Sequence, residues 1–377
     1  MGKQIFVALL VLCTISVASS ARAQGTTDDL KNTSRWQQTD DDWKRMVEIK
    51  GRAEFTEDYK DVRDVTPGGY VKIEEEREGT SHRYEVRHPV GGSVTRRFFV
   101  DGTDHPIDQV AREWIAKMIL QAVRHGWDAE NRARTILRQR GAAGVLEEID
   151  QIEGDYAKRL YFEALIKFGN LDEAALQSVL HKAAAQISSD YEQAQFLIGV
   201  APALTTERGA INEFFTAVAT VKSDYEHARI LKNVLEKNPH SRELLAAVAA
   251  STKNITSDYE KAGVLKQVAA RYLDDNALRD LFFQTVNTIR SDYEHRGVLT
   301  ALIKNKDLGP DVLNHMLNSA AMISSDYEKA TFLVEVSNNY TGDSRLKEAF
   351  LKVVETIKSD YERGRVLSAL LKNKQID

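Results

Sequence analysis

The chain has 377 residues and one cysteine, Cys13. An intramolecular disulfide therefore cannot form, and no thiol is left for catalysis downstream of position 13. The fold must be held by packing. Proline is almost as scarce, at six residues, which leaves long stretches free to run as helix. Positive charge is not in excess: 51 Lys and Arg stand against 56 Asp and Glu, a net charge of −5. No global basic field draws phosphate backbones, so nucleic acid is not an expected partner. Long apolar runs are missing too. The one candidate, Ile5 to Ala18, follows Lys3 and leads into Ala21-Arg22-Ala23, and it is shorter than the roughly 20 residues of a spanning helix. This arrangement predicts a secretory signal over 1–23 with an Ala-x-Ala cleavage site. The protein is then exported, periplasmic or extracellular, with no membrane span after cleavage. Loss of Lys3 and Arg22 takes the net charge from −5 to −7.

What is present is globular in kind, with 42% hydrophobic and 28% charged residues, enough to build a large core. Residues 24–43 are polar with clustered acids, and read as a flexible linker with Trp36 as its one anchor. From 44 to 106 the pattern alternates with period two, as in VEIKGRAEF, GYVKIEEE, HRYEVRH and VTRRFFVDG, broken by Gly- and Pro-bearing turns. This predicts an antiparallel β-meander of four or five strands. Residues 107–154 read as helices, the first with a stripe of Ile107, Val110, Trp114, Met118 and Ala122. The stretch 129–154 reads as a shortened capping repeat.

From 155 to 377 the chain repeats itself. Asp-Tyr recurs at 155, 190, 224, 258, 292, 326 and 360, a spacing of 35 once and 34 five times. Counted from each Asp, the eighth position is Phe162 or Leu and the eleventh is Leu or Val. A second apolar set, Phe214, Val248, Phe282, Met316 and Phe350, is followed seven residues later by Val221, Ile255, Ile289, Ile323 and Ile357. Each copy is a helix pair, and the expected architecture is mainly α: an α-solenoid of 34-residue repeats preceded by a small antiparallel β-meander. The period matches tetratricopeptide repeats, and the helix pairing is also HEAT-like, but the Trp-x2-Leu-Gly-x2-Tyr signature is absent.

The tetrad Ser-Asp-Tyr-Glu carries the local chemistry. Ser189, Ser223, Ser257, Ser291, Ser325 and Ser359 stand three residues before Glu192, Glu226, Glu260, Glu294, Glu328 and Glu362, the spacing of a capping box. The Ser hydroxyl would accept from the Glu N–H, and the Glu carboxylate would reach back to the Ser N–H. The intervening Asp would favour the positive end of the helix dipole. The tyrosines 156, 191, 225, 259, 293, 327 and 361 admit two readings, a row of phenols along a ligand groove or rings packed between repeats. Their recurrence with the cap favours packing, so Tyr156, Tyr191, Tyr225, Tyr259, Tyr293, Tyr327 and Tyr361 are expected in the joints. The fourth position, Lys158, Gln193, His227, Lys261, His295, Lys329 and Arg363, reads as an exposed, mostly basic row: a candidate binding face for an acidic partner, or a solvated face paired with nearby acids.

Other constellations are weaker. Arg132, Arg134, Arg138 and Arg140 fall on one helix and form a candidate anion patch, which Arg96 and Arg97 could join. Asp101, Asp104 and His105 suit a turn better than a metal site. No zinc-peptidase helix motif, nucleophile elbow or phosphate loop occurs, so no catalytic residue, metal or cofactor is assigned.

The segments Gly51-Arg52-Ala53-Glu54-Phe55, Pro67-Gly68-Gly69-Tyr70 and Ile152-Glu153-Gly154-Asp155-Tyr156 resemble extracytoplasmic segments that follow the membrane peptidase module in some bacterial M56-type sensor proteins. The likeness covers most of the chain after the signal, while that family's peptidase motif is absent. It implies an envelope-located sensing or binding part and no proteolysis. The expectation is an exported, non-catalytic scaffold for a protein or peptide partner in the bacterial envelope. The alternative is an envelope hydrolase or carbohydrate-active enzyme using scattered carboxylates.

Overall fold

The computed structural model describes residues 29–31, 33–204, 208–271, 276–304, 308–337 and 344–372. The expected signal over 1–23 and the first part of the linker lie outside these residues. The chain divides into two compact units, Met1–Ala122 and Val123–Asp377.

The first unit is a sheet with one helix. Among the described residues its strands are β1 (Thr33–Thr39), β2 (Trp43–Lys50), β3 (Ala53–Phe55), β4 (Val62–Val65), β5 (Tyr70–Arg77), β6 (Thr80–Arg87), β7 (Thr95–Val100) and β8 (Thr103–His105). Six of them form one antiparallel sheet in the order β1-β2-β5-β6-β7-β8, while β3 and β4 pair apart from it. The meander is thus present and longer than expected. The flexible linker is corrected: its second half is β1, paired with β2 from Thr33 opposite Lys50 to Thr39 opposite Lys44. An edge strand needs few apolar residues because most of it faces water, and the clustered acids form its turn, where the Asp40 N–H donates to the Trp43 carbonyl at 2.8 Å. Helix α1 (Gln109–Arg124) buries Ala111, Ile115, Met118, Ile119 and Ala122. The expected stripe was one residue out of phase at its start, for Val110 is 74% exposed. Asp108 sets the phase by accepting from the Ala111 N–H at 2.9 Å.

The second unit is the α-solenoid. It opens with α2 (Ala129–Ile149), which Gly141 breaks at φ 66° and ψ −168°. Only a residue without Cβ adopts that backbone freely, so α2 is a helix pair joined by a single residue, the shortened copy. Val145, Ile149 and Ile152 are buried in it. Helices α3 to α15 follow: α3 (Asp155–Phe168), α4 (Glu173–Gln186), α5 (Asp190–Val200), α6 (Arg208–Val218), α7 (Asp224–Lys237), α8 (Arg242–Ser251), α9 (Asp258–Ala270), α10 (Asn276–Val286), α11 (Asp292–Ile303), α12 (Pro310–Ala321), α13 (Asp326–Ser337), α14 (Ser344–Glu355) and α15 (Asp360–Lys372). Odd-numbered helices from α3 onward pack on one another in sequence, and even-numbered ones do likewise. That is the two-layer stacking of a solenoid, in which each pair buries its face against its neighbours. The eleventh-position residues and both second-helix columns are buried in all copies, and the eighth-position residues in all but the last, where Leu367 is 37% exposed.

Candidate functional site

The joints between copies come first, because they decide which side chains are left to face a ligand. Each odd helix from α5 begins at a Ser whose Oγ accepts from the Glu N–H three residues on, at 3.3–3.4 Å. The other half of the capping box is corrected. The Ser N–H donates to the first Asp of the preceding copy, at 2.7–2.8 Å from Asp155, Asp190, Asp224, Asp258, Asp292 and Asp326 in turn. The same carboxylate accepts from the residue before the Ser at 3.0–3.1 Å. One Asp thus ties two main-chain donors of the next copy, and its role is a clamp between repeats. At Asp224 burial works against the charged form, but hydrogen bonds from Thr256 and Ser257 outweigh it and hold the carboxyl below its usual range. Gly154 heads the first copy without a side-chain cap.

The Glu freed from the cap is nearly buried and takes one cation, from one of three places. Glu192 and Glu328 are met by the fifth residue of the preceding copy, Arg159 at 2.6 Å and Arg296. Glu260 and Glu294 are met by the ninth residue of the preceding copy, Lys232 at 2.9 Å and Lys266 at 2.8 Å. Glu226 and Glu362 are met by the sixth residue of their own copy, Arg229 at 2.8 Å and Arg365 at 3.2 Å. The lysine solution needs space: a Cβ on Gly263 or Gly297, the sixth residues of the receiving copies, would lie 3.0–3.3 Å from the lysine ends. Differences between copies that look free are therefore tied to an ion pair.

The candidate binding face at the fourth position is corrected: it is interior. Gln193, His227, Lys261, His295 and Lys329 are 3–5% exposed. At 3.6 residues per turn the fourth, eighth and eleventh positions share one stripe, so a residue at the fourth must enter the core. Each finds a polar partner at the end of the second helix of its own pair. Gln193 Nε2 donates to Thr220 Oγ1 at 2.6 Å, Lys261 Nζ to Thr288 Oγ1 and Lys329 Nζ to Thr356 Oγ1, both at 2.9 Å. The shorter His227 and His295 meet residues one turn earlier, Ser251 Oγ at 2.9 Å and Ser319 Oγ at 2.8 Å from Nε2. Lys158 donates to the Gln186 carbonyl and Arg363 to that of Ile357. Burial lowers the pKa of His227, Lys261 and Lys329, and pushes His295 down to about 4.

The packing expected for the tyrosines is likewise corrected. Tyr191, Tyr225, Tyr259, Tyr293, Tyr327 and Tyr361 are 52–77% exposed, and Tyr156 is half-buried. The second, sixth and ninth positions form the stripe opposite the core stripe, so the rings stand on the outer face of the odd helices. Four carry a guanidinium: Arg159 over Tyr156 at 5.3 Å, Arg296 over Tyr293 at 5.3 Å, Arg229 over Tyr191 at 5.4 Å and Arg365 over Tyr327 at 5.2 Å. On the same face lies an open groove of about 740 Å³ running over α5, α7 and α9, lined by Gln195 and Ile198, by Arg229 and Asn233, and by Gln267 and Arg271 among others. Residue spacing alone missed this groove, although the wheel position of the sixth and ninth residues was its signal.

The anion patch does not assemble. Arg132 pairs with Glu148 at 3.1 Å, Arg134 lies over the Phe168 ring, Arg138 donates to Thr135, and Arg140 pairs with Glu147. Arg96 donates to the carbonyls of Val62 and Arg63, and Arg97 pairs with Asp104 at 2.7 Å. Asp101 accepts from the Ser81 N–H. No group of three or more metal-ligating side chains occurs among the described residues, and no helix there is long and apolar enough to cross a membrane. No family model, curated protein or solved structure matches the chain.

Proposed function

We propose that this chain is an exported, non-catalytic repeat scaffold of the bacterial envelope that binds a peptide segment of a partner protein along the outer face of its odd-numbered helices. The groove over α5, α7 and α9 carries this reading. Three successive odd-numbered helices present side-chain amides to it, Gln195, Asn233 and Gln267, and an amide offers both a donor and an acceptor to an extended main chain. The exposed tyrosines beside it supply rigid, amphipathic contact area at small entropic cost. Export and the envelope location rest on the signal-like opening of the sequence and on the M56-type resemblance.

Panning a random octapeptide library against the purified full chain tests the reading. Peptides should be enriched whose binding is lost when Gln267→Trp fills the groove while the thermal midpoint stays within a few degrees. Enrichment of none, together with turnover of a peptide or glycan substrate that one carboxylate substitution abolishes, would replace the scaffold with the hydrolase.

A further inference from the structure

Whether a tyrosine ring on the outer face is covered depends on how its joint neutralises the repeat glutamate. Where the sixth residue is arginine, its guanidinium lies over the tyrosine of the preceding copy, as Arg229 does over Tyr191 at 5.4 Å and Arg365 over Tyr327 at 5.2 Å. Where the fifth residue is arginine, it covers the tyrosine of its own copy, as Arg159 does over Tyr156 and Arg296 over Tyr293, both at 5.3 Å. The lysine joints do neither. Lys232 and Lys266 take the space left by glycine at the sixth position of the next copy, and Gly263 and Gly297 stand where an arginine would reach back to Tyr225 and Tyr259. Those two rings are 61% and 71% exposed, and among the described residues no cation lies over either. Tyr361 is open as well, but its neighbour Tyr327 is covered by Arg365. Tyr225 and Tyr259 are therefore an adjacent pair of open rings, at the same position of two helices, α7 and α9, that pack on each other.

Packed helix axes lie about 8–10 Å apart, and equivalent rings on neighbouring helices are set at a similar interval. A polyproline II segment has three residues per turn and rises about 3.1 Å per residue, so every third side chain returns to the same side after about 9.3 Å. Resting on the reading that this face binds a peptide, we infer that Tyr225 and Tyr259 are paired seats for a proline-rich segment of the partner. It crosses α7 and α9 with two prolines three residues apart, one on each ring. A β-strand returns to the same side about every 6.7 Å, short of the ring interval. The polyproline II main chain makes no internal hydrogen bonds, so its carbonyls are open to the phenol O–H donors, and its preformed shape loses little entropy on docking. A glycan would ask for acceptors beside the rings, and the carboxylates there are spent: Glu226 pairs with Arg229 and Glu260 with Lys232.

The probes are two neutral dodecapeptides of identical composition, with four prolines among glutamines and alanines, placed at every third residue in one and as two separated Pro-Pro pairs in the other. On the full chain the first should bind about tenfold more tightly, the margin expected of two ring contacts. Tyr225→Ala and Tyr259→Ala should each remove most of that preference. Tyr327→Ala, at a ring that Arg365 already covers, should keep it, with the thermal midpoint confirming that every variant is folded. Equal binding of the two dodecapeptides, or a preference that survives both Tyr225→Ala and Tyr259→Ala, would overturn the ring pair. Octapeptides panned from the random library that still bind, and are lost in Gln267→Trp, would then leave the peptide reading standing without it. If neither dodecapeptide nor any panned octapeptide binds, both fall, and capture of an N-acetylglucosamine tetrasaccharide that is lost in Tyr259→Ala would give the rings to a glycan.

Discussion

The two units use buried charge in different ways. In the sheet unit one carboxylate collects everything: Glu75 accepts from Arg45 Nε at 2.6 Å and from Trp114 Nε1 at 2.8 Å, joining β2, β5 and α1 at a single point. Burial opposes its charge, and the bonds from Trp114 and Arg45 more than compensate, so its pKa is lowered. In the repeats from α3 to α15 the equivalent burden is spread over six joints, each with one Asp clamp and one Glu ion pair. Concentrated polarity makes a unit that fails at one residue. Distributed polarity makes one that weakens step by step, as expected where stability is a sum over neighbours.

Substitutions can break or sharpen this contrast. Glu75→Ala strips a buried guanidinium and an indole N–H of their shared partner, and should cost the sheet unit about 3–5 kcal/mol, read from the urea midpoint followed by tryptophan fluorescence. Leu265→Ala empties a fully buried site between α9 and its neighbours and should cost about 2–5 kcal/mol in helical signal by circular dichroism. If Glu75→Ala proves the milder by far, the contrast between the units is wrong.

The third effect depends on pH. His295 is neutral in the core, with a folded pKa of about 4 against the ordinary 6.5, so the unfolded chain takes up the proton first as pH falls. Its contribution is complete above about pH 6.5 and is lost progressively down to about pH 4, on the order of 3 kcal/mol. Aspartates 258 and 292 act on the ring in the opposite sense without reversing the shift. Urea midpoints at pH 7 and pH 5 should differ less in His295→Gln than in the parent, since Gln193 fills the same place in another copy without titrating. An unchanged pH slope would remove His295 from the account. The smallest effect belongs to Ser257→Ala, about 1 kcal/mol through one helix cap. Its backbone N–H bond to Asp224 survives the change.

The sequence disclosed those parts of the molecule whose burial is written in side-chain type. The period, the phase of the repeat helices and the core columns from Phe162 to Leu370 were legible because a large apolar side chain is driven out of water. The polar residues were less so, because their partners lie far along the chain. Lys261 looks like a surface lysine until Thr288 is brought beneath it, and Asp224 looks like a dipole residue until the Thr256 and Ser257 amides meet it. Tyrosine was misplaced for another reason: its ring suits a joint and a wet face equally, and only its angle from Leu265 and its equivalents decides. The groove needed three helices from three copies side by side.

The three ways of neutralising the repeat glutamates limit how the array can be edited. Excising residues 258–291 would bring Glu294 under Lys232, with Gly297 leaving the gap that the lysine needs. Excising 292–325 would instead bring Glu328 under Lys266, with Thr331 standing where the two receiving copies have glycine. Of two deletions equal in length and in register, the first preserves electroneutral stacking and the second strands an anion. The modules look interchangeable, but they have an order.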